Sequence, residues 1–138
     1  MKIRLKYLCK LNPLSDKTLY GQKCTFLPME KILFGTTNNE IETIFDKEKS
    51  GYTFMKEGYV IRATVTPCFE NGKGAVLNNL KNGFAIGSTE LMCVKPTKIN
   101  ANLLNYIFLS TDFVNHCQKD FKGVGGLKRI NQKNALNY

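Results

Sequence analysis

The spacing of the hydrophobic residues changes after about two thirds of this 138-residue chain, and that change is the strongest constraint on its fold. Segments before residue 100 alternate apolar and polar residues, as half-buried strands do. After residue 100 the spacing becomes helical, with one stripe formed by Leu103, Leu104, Ile107 and Phe108. Strands followed by helices predict an α+β domain.

The clearest alternation runs from Lys2 to Leu11, where every odd position from Ile3 onward is apolar. Asn12-Pro13 should end that strand, because proline cannot donate to a strand ladder. Further strands are predicted over Cys24 to Leu27, Tyr59 to Val65, Gly74 to Leu77 and Thr89 to Val94.

A second helical stripe follows the first and consists of Phe113, Val114, Cys117 and Phe121. Thr111 or Asp112 is the predicted N-cap of this second helix. Glycines from residue 123 to residue 126 should end it, and residues 127–130 are predicted to form a closing strand. Residues 35–51 are polar, and we expect a surface excursion there with one helical turn.

The net charge of +9 is unevenly distributed along the chain. Residues 1–31 carry seven Lys or Arg against two acidic residues, whereas residues 32–58 carry three against five. Basic residues are again in excess from residue 59 to the end. This pattern predicts a basic face suited to a polyanion, or a basicity that serves solubility alone.

The five cysteines are widely spaced and include no CxxC pair, so we expect buried free thiols and neither disulfides nor a metal site. No stretch of about 18 apolar residues could span a membrane, and the expected location is the cytoplasm. Cys68 and His116 are the only candidate thiol–imidazole dyad, which leaves an enzyme resting on Cys68 as one alternative.

Five motifs occur in an order that resembles the target-recognition domain of type I restriction-modification specificity subunits. The resemblance extends from about residue 3 to residue 131, and its most specific parts are the third and fourth motifs. The motifs are Arg4 to Leu8 with Asn12-Pro13, Phe26 to Glu30, Thr66 to Gly74, Gly87 to Glu90, and Gly123 to Ile130.

That resemblance implies an α+β fold with a curved mixed or antiparallel sheet and C-terminal helices, which reads double-stranded DNA in the major groove. It implies no catalytic residue and no cofactor on this chain, because the methyl donor and ATP belong to partner methylase and restriction (translocase/endonuclease) subunits. We expect residues 1–138 to form one recognition domain that lacks the family's spacer helix and second recognition domain. A half subunit that forms a homodimer or docks the methylase is the alternative.

The loop from Glu70 to Gly74 offers two candidate DNA contacts. Asn71 could pair with adenine, and Lys73 could contact a phosphate or a guanine edge. Alternatively, Asn71 and Gly72 simply form the turn, with Glu70 paired to Lys73.

Further candidate DNA contacts lie near the C-terminal glycines and on one strand. Lys122 and Lys128 could bind phosphate, and Arg129 could bind phosphate or the O6/N7 pair of guanine. These cations could instead only favour the preceding helix C-terminus. Arg62 is predicted on the outer face of its strand, in water or against DNA. For Gly87 to Glu90 we expect hydroxyl and carboxylate groups that bind backbone amides.

Overall fold

The computed structural model describes residues 2–121 and 128–138, which contain eight strands and three helices. The α+β prediction is confirmed. The strands are β1 Cys9–Leu11, β2 Lys23–Leu27, β3 Glu42–Ile44, β4 Thr53–Lys56, β5 Val60–Ala63, β6 Gly74–Val76, β7 Phe84–Gly87 and β8 Leu91–Pro96. The helices are α1 Ala101–Leu109, α2 Thr111–Gln118 and α3 Gln132–Ala135.

The strands form two sheets of four, where we expected one. Sheet A has the order β1-β8-β5-β6 and is antiparallel throughout. Sheet B has the order β3-β2-β7-β4 and is mixed, because β2 and β7 run parallel. Their pairing aligns Phe26 with Ile86.

Sheet A lies between the helices and sheet B, so both of its faces are covered. Successive residues of β5 show this, because Val60 packs into the cluster formed with the helices and Ile61 into the cluster shared with sheet B. A third cluster on the far face of sheet B contains aromatic rings in contact, among them Phe45 and Phe84, which meet edge to face with 5.8 Å between centroids. The two sheets thus share the cluster that lies between them.

The N-terminal strand is shorter than the predicted one, which ran from Lys2 to Leu11. Only Cys9–Leu11 pairs with β8, whereas Leu5–Tyr7 forms a 3₁₀ turn. The amides of Leu5 and Lys6 donate to the carbonyls of Tyr138 and Leu136, so the C-terminal residues replace a neighbouring strand there. Local alternation could not reveal that competing partner.

The polar segment 35–51 is also more ordered than expected. Glu42–Ile44 forms β3 at the edge of sheet B, and Phe45 is fully buried. The 3₁₀ turn occurs later, at Lys47–Lys49, where the Asp46 side chain accepts from the Lys49 amide. Strands β4 and β7 were missed altogether; β7 is buried at every position and therefore shows no alternation.

Both predicted helices are confirmed as α1 and α2, although the second begins one or two residues earlier than the predicted caps imply. Ser110, rather than Thr111 or Asp112, is its N-cap, and the Ser110 hydroxyl accepts from the Phe113 amide. Phe108 and Phe113, one from each helix, stack with ring centroids 4.9 Å apart. In the part of the chain that is described, no helix has the length and apolar character needed to cross a membrane.

Candidate nucleic-acid interface

Three of the five motifs meet at one end of sheet A, where β5 continues into residues 64–66. On one side the Thr64 amide donates to the Glu90 carbonyl at 3.0 Å. On the other side the Ile130 amide donates to the Thr64 carbonyl at 3.0 Å, and the Thr66 amide to the Lys128 carbonyl at 2.8 Å. Segments 26 to 66 residues apart in the sequence therefore share one surface, which we call the motif end.

Arg129 and Glu90 form a two-point ion pair on this surface. The Arg129 Nε donates to Glu90 Oε2 at 2.8 Å, and Nη2 donates to Oε1 at 2.7 Å. The guanidinium lowers the pKa of the Glu90 carboxyl, chiefly through this hydrogen bonding. The side chains remain 48% and 33% exposed, so the pair lies at the solvent boundary.

The expectation for Gly87 to Glu90 is thus half right. The Ser88 hydroxyl does accept from a backbone amide, that of Glu90, at 3.1 Å. The Glu90 carboxylate, by contrast, binds Arg129 instead of an amide. The sequence did not predict a functional role for Glu90, because its partner lies 39 positions away. The only signal was that both residues belong to motifs of the resembled family.

The loop from Thr66 to Gly74 is anchored by Phe69, which is buried among residues of the helices. The amide of Asn71 donates to the Pro67 carbonyl at 3.0 Å, which closes the turn. Gly72 has a φ of +73°, and a Cβ there would lie 2.6 Å from Cε2 of Phe34. Gly72 therefore has a left-handed conformation and a close neighbour that a side chain would not tolerate.

The two candidate contacts of this loop differ in accessibility. Asn71 is exposed, whereas Lys73 is half-buried where the loop enters β6. The alternative pairing of Lys73 with Glu70 is absent from the described ion pairs, and Glu70 instead accepts from the Thr66 hydroxyl at 3.4 Å. Both side chains remain candidates for DNA contact.

Arg62 was wrongly assigned to an outer strand face, because the helices cover that face of sheet A. Its exposed fraction is 2%, and its terminal nitrogens donate to the carbonyls of Phe108 and Phe69. The guanidinium lies 4.8 Å from the Phe69 ring, and burial lowers the pKa of Arg62 to about 10. Arg62 therefore joins the end of α1 to the Phe69 loop and cannot reach DNA from this position.

The remaining cationic candidates fall into two groups. Lys128 is exposed beside Arg129 at the motif end. Lys122 and the glycines predicted to stop the helix lie outside the described residues, as does Leu127 of the expected closing strand. The rest of that strand is reduced to an isolated bridge between Val65 and Arg129.

A second basic surface, whose lysines were not among the predicted DNA contacts, lies along edge strand β1. Lys10 is directly opposite Lys95 of β8, and both are exposed. Lys6 and Lys133 line a shallow groove beside the same strand. None of these four lysines belongs to an ion pair among residues 2–121 and 128–138. Two positive charges directly opposite each other on neighbouring strands repel, and an anion bound between them would relieve that repulsion.

The thiols and the imidazole show no catalytic arrangement within the described chain. All five cysteines lie in that part and are free, and burial raises the pKa of Cys93 and Cys117 to about 12. Cys68 packs into the cluster between the sheets, whereas His116 contacts the Asn134 carbonyl on the helical side. No group of three or more potential metal ligands occurs among the described residues.

Comparison with known proteins gives two relatives, and no family model matches the chain. The chain is 35% identical over 131 residues to the specificity subunit of the type I restriction enzyme EcoAI of Escherichia coli. It is 32% identical over 142 aligned positions to the specificity subunit of the EcoEI enzyme of the same organism. These alignments cover 91% and 99% of the chain.

The chain spans about a quarter of the length of these relatives, since the alignments cover 22% and 24% of them. The resemblance indicated by the ordered motifs is thereby confirmed. Over nearly its whole length this chain is thus similar to a domain-sized part of type I restriction-enzyme specificity subunits.

Proposed function

We propose that residues 1–138 form one target-recognition domain that reads double-stranded DNA. The domain would direct partner methylase and restriction subunits to one half of a split target. The observation that carries this proposal is the meeting of three family motifs at one end of sheet A, with Lys128 and Arg129 exposed there. Recognition elements from separate segments must converge on one surface to contact neighbouring base pairs.

The chemistry of the motif end fits the two kinds of contact that DNA recognition needs. Lys73 and Lys128 supply cations for phosphates, which position the duplex. Arg129 and Asn71 have side chains able to make bidentate contacts, to guanine and to adenine respectively. The lysines beside β1, chiefly Lys10 and Lys95, would hold the DNA backbone farther from the bases.

In this proposal the chain is a reader and not an enzyme, and it holds no cofactor itself. Methyl donor and ATP would bind the partner subunits. Five unpaired cysteines fit a reducing compartment, and we propose the cytoplasm as the site of action.

A duplex-binding experiment tests the proposal directly. The protein is mixed with a pool of duplexes that contain a randomised segment, and the bound fraction is sequenced at two salt concentrations. We expect enrichment of a short motif, together with an affinity whose logarithm falls by about 0.9 per neutralised phosphate for each unit of log salt. Salt-dependent binding without any enriched motif would contradict a reading function.

A second candidate function is protein docking, because the outer face of α1 exposes apolar side chains. Leu103 and Tyr106 are 51% and 73% exposed, although a helix in a lone domain usually turns such residues inward. A half subunit would use such a face for a second copy or for the methylase. Light scattering of the protein alone and with methylase measures the masses, and a strictly monomeric protein in both samples would remove this candidate.

A further inference from the structure

The Arg129–Glu90 pair uses only one of the two edges that a guanidinium offers to an acceptor. Glu90 occupies the edge formed by Nε and Nη2. The other edge, formed by Nη1 and Nη2, has no hydrogen-bond acceptor among residues 2–121 and 128–138. Either edge of an arginine can bind two acceptors at once, as the O6/N7 pair of guanine requires.

We propose that Glu90 is a positioning residue that holds the Arg129 guanidinium in the orientation needed for a bidentate contact with guanine. Glu90 would thereby influence base preference without touching a base. This inference rests on the proposed function, since it requires that the motif end faces DNA.

The physical reason is the cost of ordering a long side chain. An arginine free in water samples many rotamers and must lose that freedom to make two hydrogen bonds to one base. Here the carboxylate has already fixed the guanidinium plane through two bonds of 2.7 and 2.8 Å. The backbone of Arg129 is also fixed, because its neighbours Lys128 and Ile130 pair with residues 66 and 64. Preorganisation of this kind increases affinity for the matching partner.

Because Glu90 would lie close to DNA, a positioning role and a purely electrostatic role predict different effects of removing its charge. An ordinary surface acid repels phosphates, so its removal should strengthen binding to every duplex equally. A positioning carboxylate should behave differently, because its removal should weaken discrimination at one base pair while general affinity stays constant or rises.

The experiment compares Glu90→Gln with Glu70→Gln as a matched control. Glu70 lies in the Thr66 to Gly74 loop at the same end and has no ion-pair partner among the described residues. Both variants remove one negative charge and nearly preserve side-chain shape. Thermal unfolding of both is recorded by circular dichroism, so that a folding defect is recognised.

Dissociation constants are measured for the duplex that the wild-type protein enriches and for each single base-pair change in it. Arg129→Ala identifies the guanine position, where it should reduce discrimination by about 5- to 150-fold. At that position discrimination should fall at least about 5-fold in Glu90→Gln, and it should not change in Glu70→Gln. The double variant Glu90→Gln/Arg129→Ala should discriminate no worse than Arg129→Ala alone.

Three outcomes would overturn the inference. If Glu90→Gln discriminates as well as the wild-type protein, Glu90 does not position Arg129. If Glu90→Gln and Glu70→Gln strengthen binding alike on all duplexes, Glu90 is an ordinary surface acid. If the wild-type protein shows no base preference at all, the proposed function itself fails and takes this inference with it.

Discussion

Replacement of Arg62 by alanine tests the central correction to the sequence interpretation. An arginine on the outer face of a strand would change stability by less than about 0.5 kcal/mol when replaced. It could also contribute to DNA binding. Arg62 is instead buried between β5 and the helices, with hydrogen bonds to two backbone carbonyls. We therefore expect Arg62→Ala to act on folding.

The magnitude follows from three contributions. Loss of the guanidinium leaves the carbonyls of Phe108 and Phe69 without these donors, at about 1 to 3 kcal/mol each. The space left by a long buried side chain adds about 2 to 5 kcal/mol. Removal of a buried charge works in the opposite direction. The lowering of the pKa of Arg62 from 12.5 to about 10 corresponds to about 3 kcal/mol. The net expected destabilisation is about 1 to 8 kcal/mol, with a central value of about 4 to 5 kcal/mol.

Urea unfolding followed by circular dichroism measures this change, and the unaltered slope of the transition would show that the unfolded state is comparable. Lys128→Ala serves as the matched control, because Lys128 is exposed and its removal should leave stability within about 0.5 kcal/mol. A loss below about 1 kcal/mol in Arg62→Ala, accompanied by weaker DNA binding, would refute the buried placement and restore the outer-face interpretation.

Four further predictions concern the loop, the thiols and the lysines. Gly72→Ala should cost at least about 1 to 2 kcal/mol in unfolding free energy, because of its positive φ and the nearby Phe34 ring; wild-type stability in that variant would contradict the loop geometry. In the folded protein only Cys68 should react readily with a thiol reagent, and rapid modification of more than one thiol would contradict the burial. Burial raises the pKa of Cys9 to about 11 and of Cys93 and Cys117 to about 12, so the contribution of these thiols to stability should be constant below about pH 8 and should fall as pH rises through 9, their unfolded pKa, toward 12; a free energy of unfolding that rises between pH 9 and 12 would contradict this expectation. Lys10→Ala or Lys95→Ala should weaken binding to all duplexes alike and reduce the salt slope by about 1, whereas an unchanged slope would exclude a phosphate contact.

The local predictions that succeeded depend on short-range rules. Helices α1 and α2 were predictable because an apolar stripe at helical spacing needs only one covering surface. The turn at Gly72 was predictable because positive φ is a property of a single residue. The two helices and the Gly72 turn therefore came from the sequence in nearly their final form.

Alternation, however, says which residues share a strand face and not what covers that face. In β5 the alternation correctly placed Arg62 and Ile61 on opposite faces of the strand. Both residues are nevertheless buried, because both faces of sheet A are covered. In the N-terminal segment alternation predicted a strand that the C-terminal residues prevented, because Leu5 bonds with the Tyr138 carbonyl instead. Such competition between distant partners has no local signature.

Arg129 shows what the sequence determines and what only the tertiary structure decides. The sequence alone determined its chemistry, since a guanidinium beside a lysine in a motif of the resembled family is suited to phosphate or guanine. Only the tertiary structure decided that Glu90 would face it, because that pairing depends on residues 128–130 and residue 90 flanking the same short segment after β5. Side-chain type is a property of one position, whereas orientation is a property of the contacts made around it.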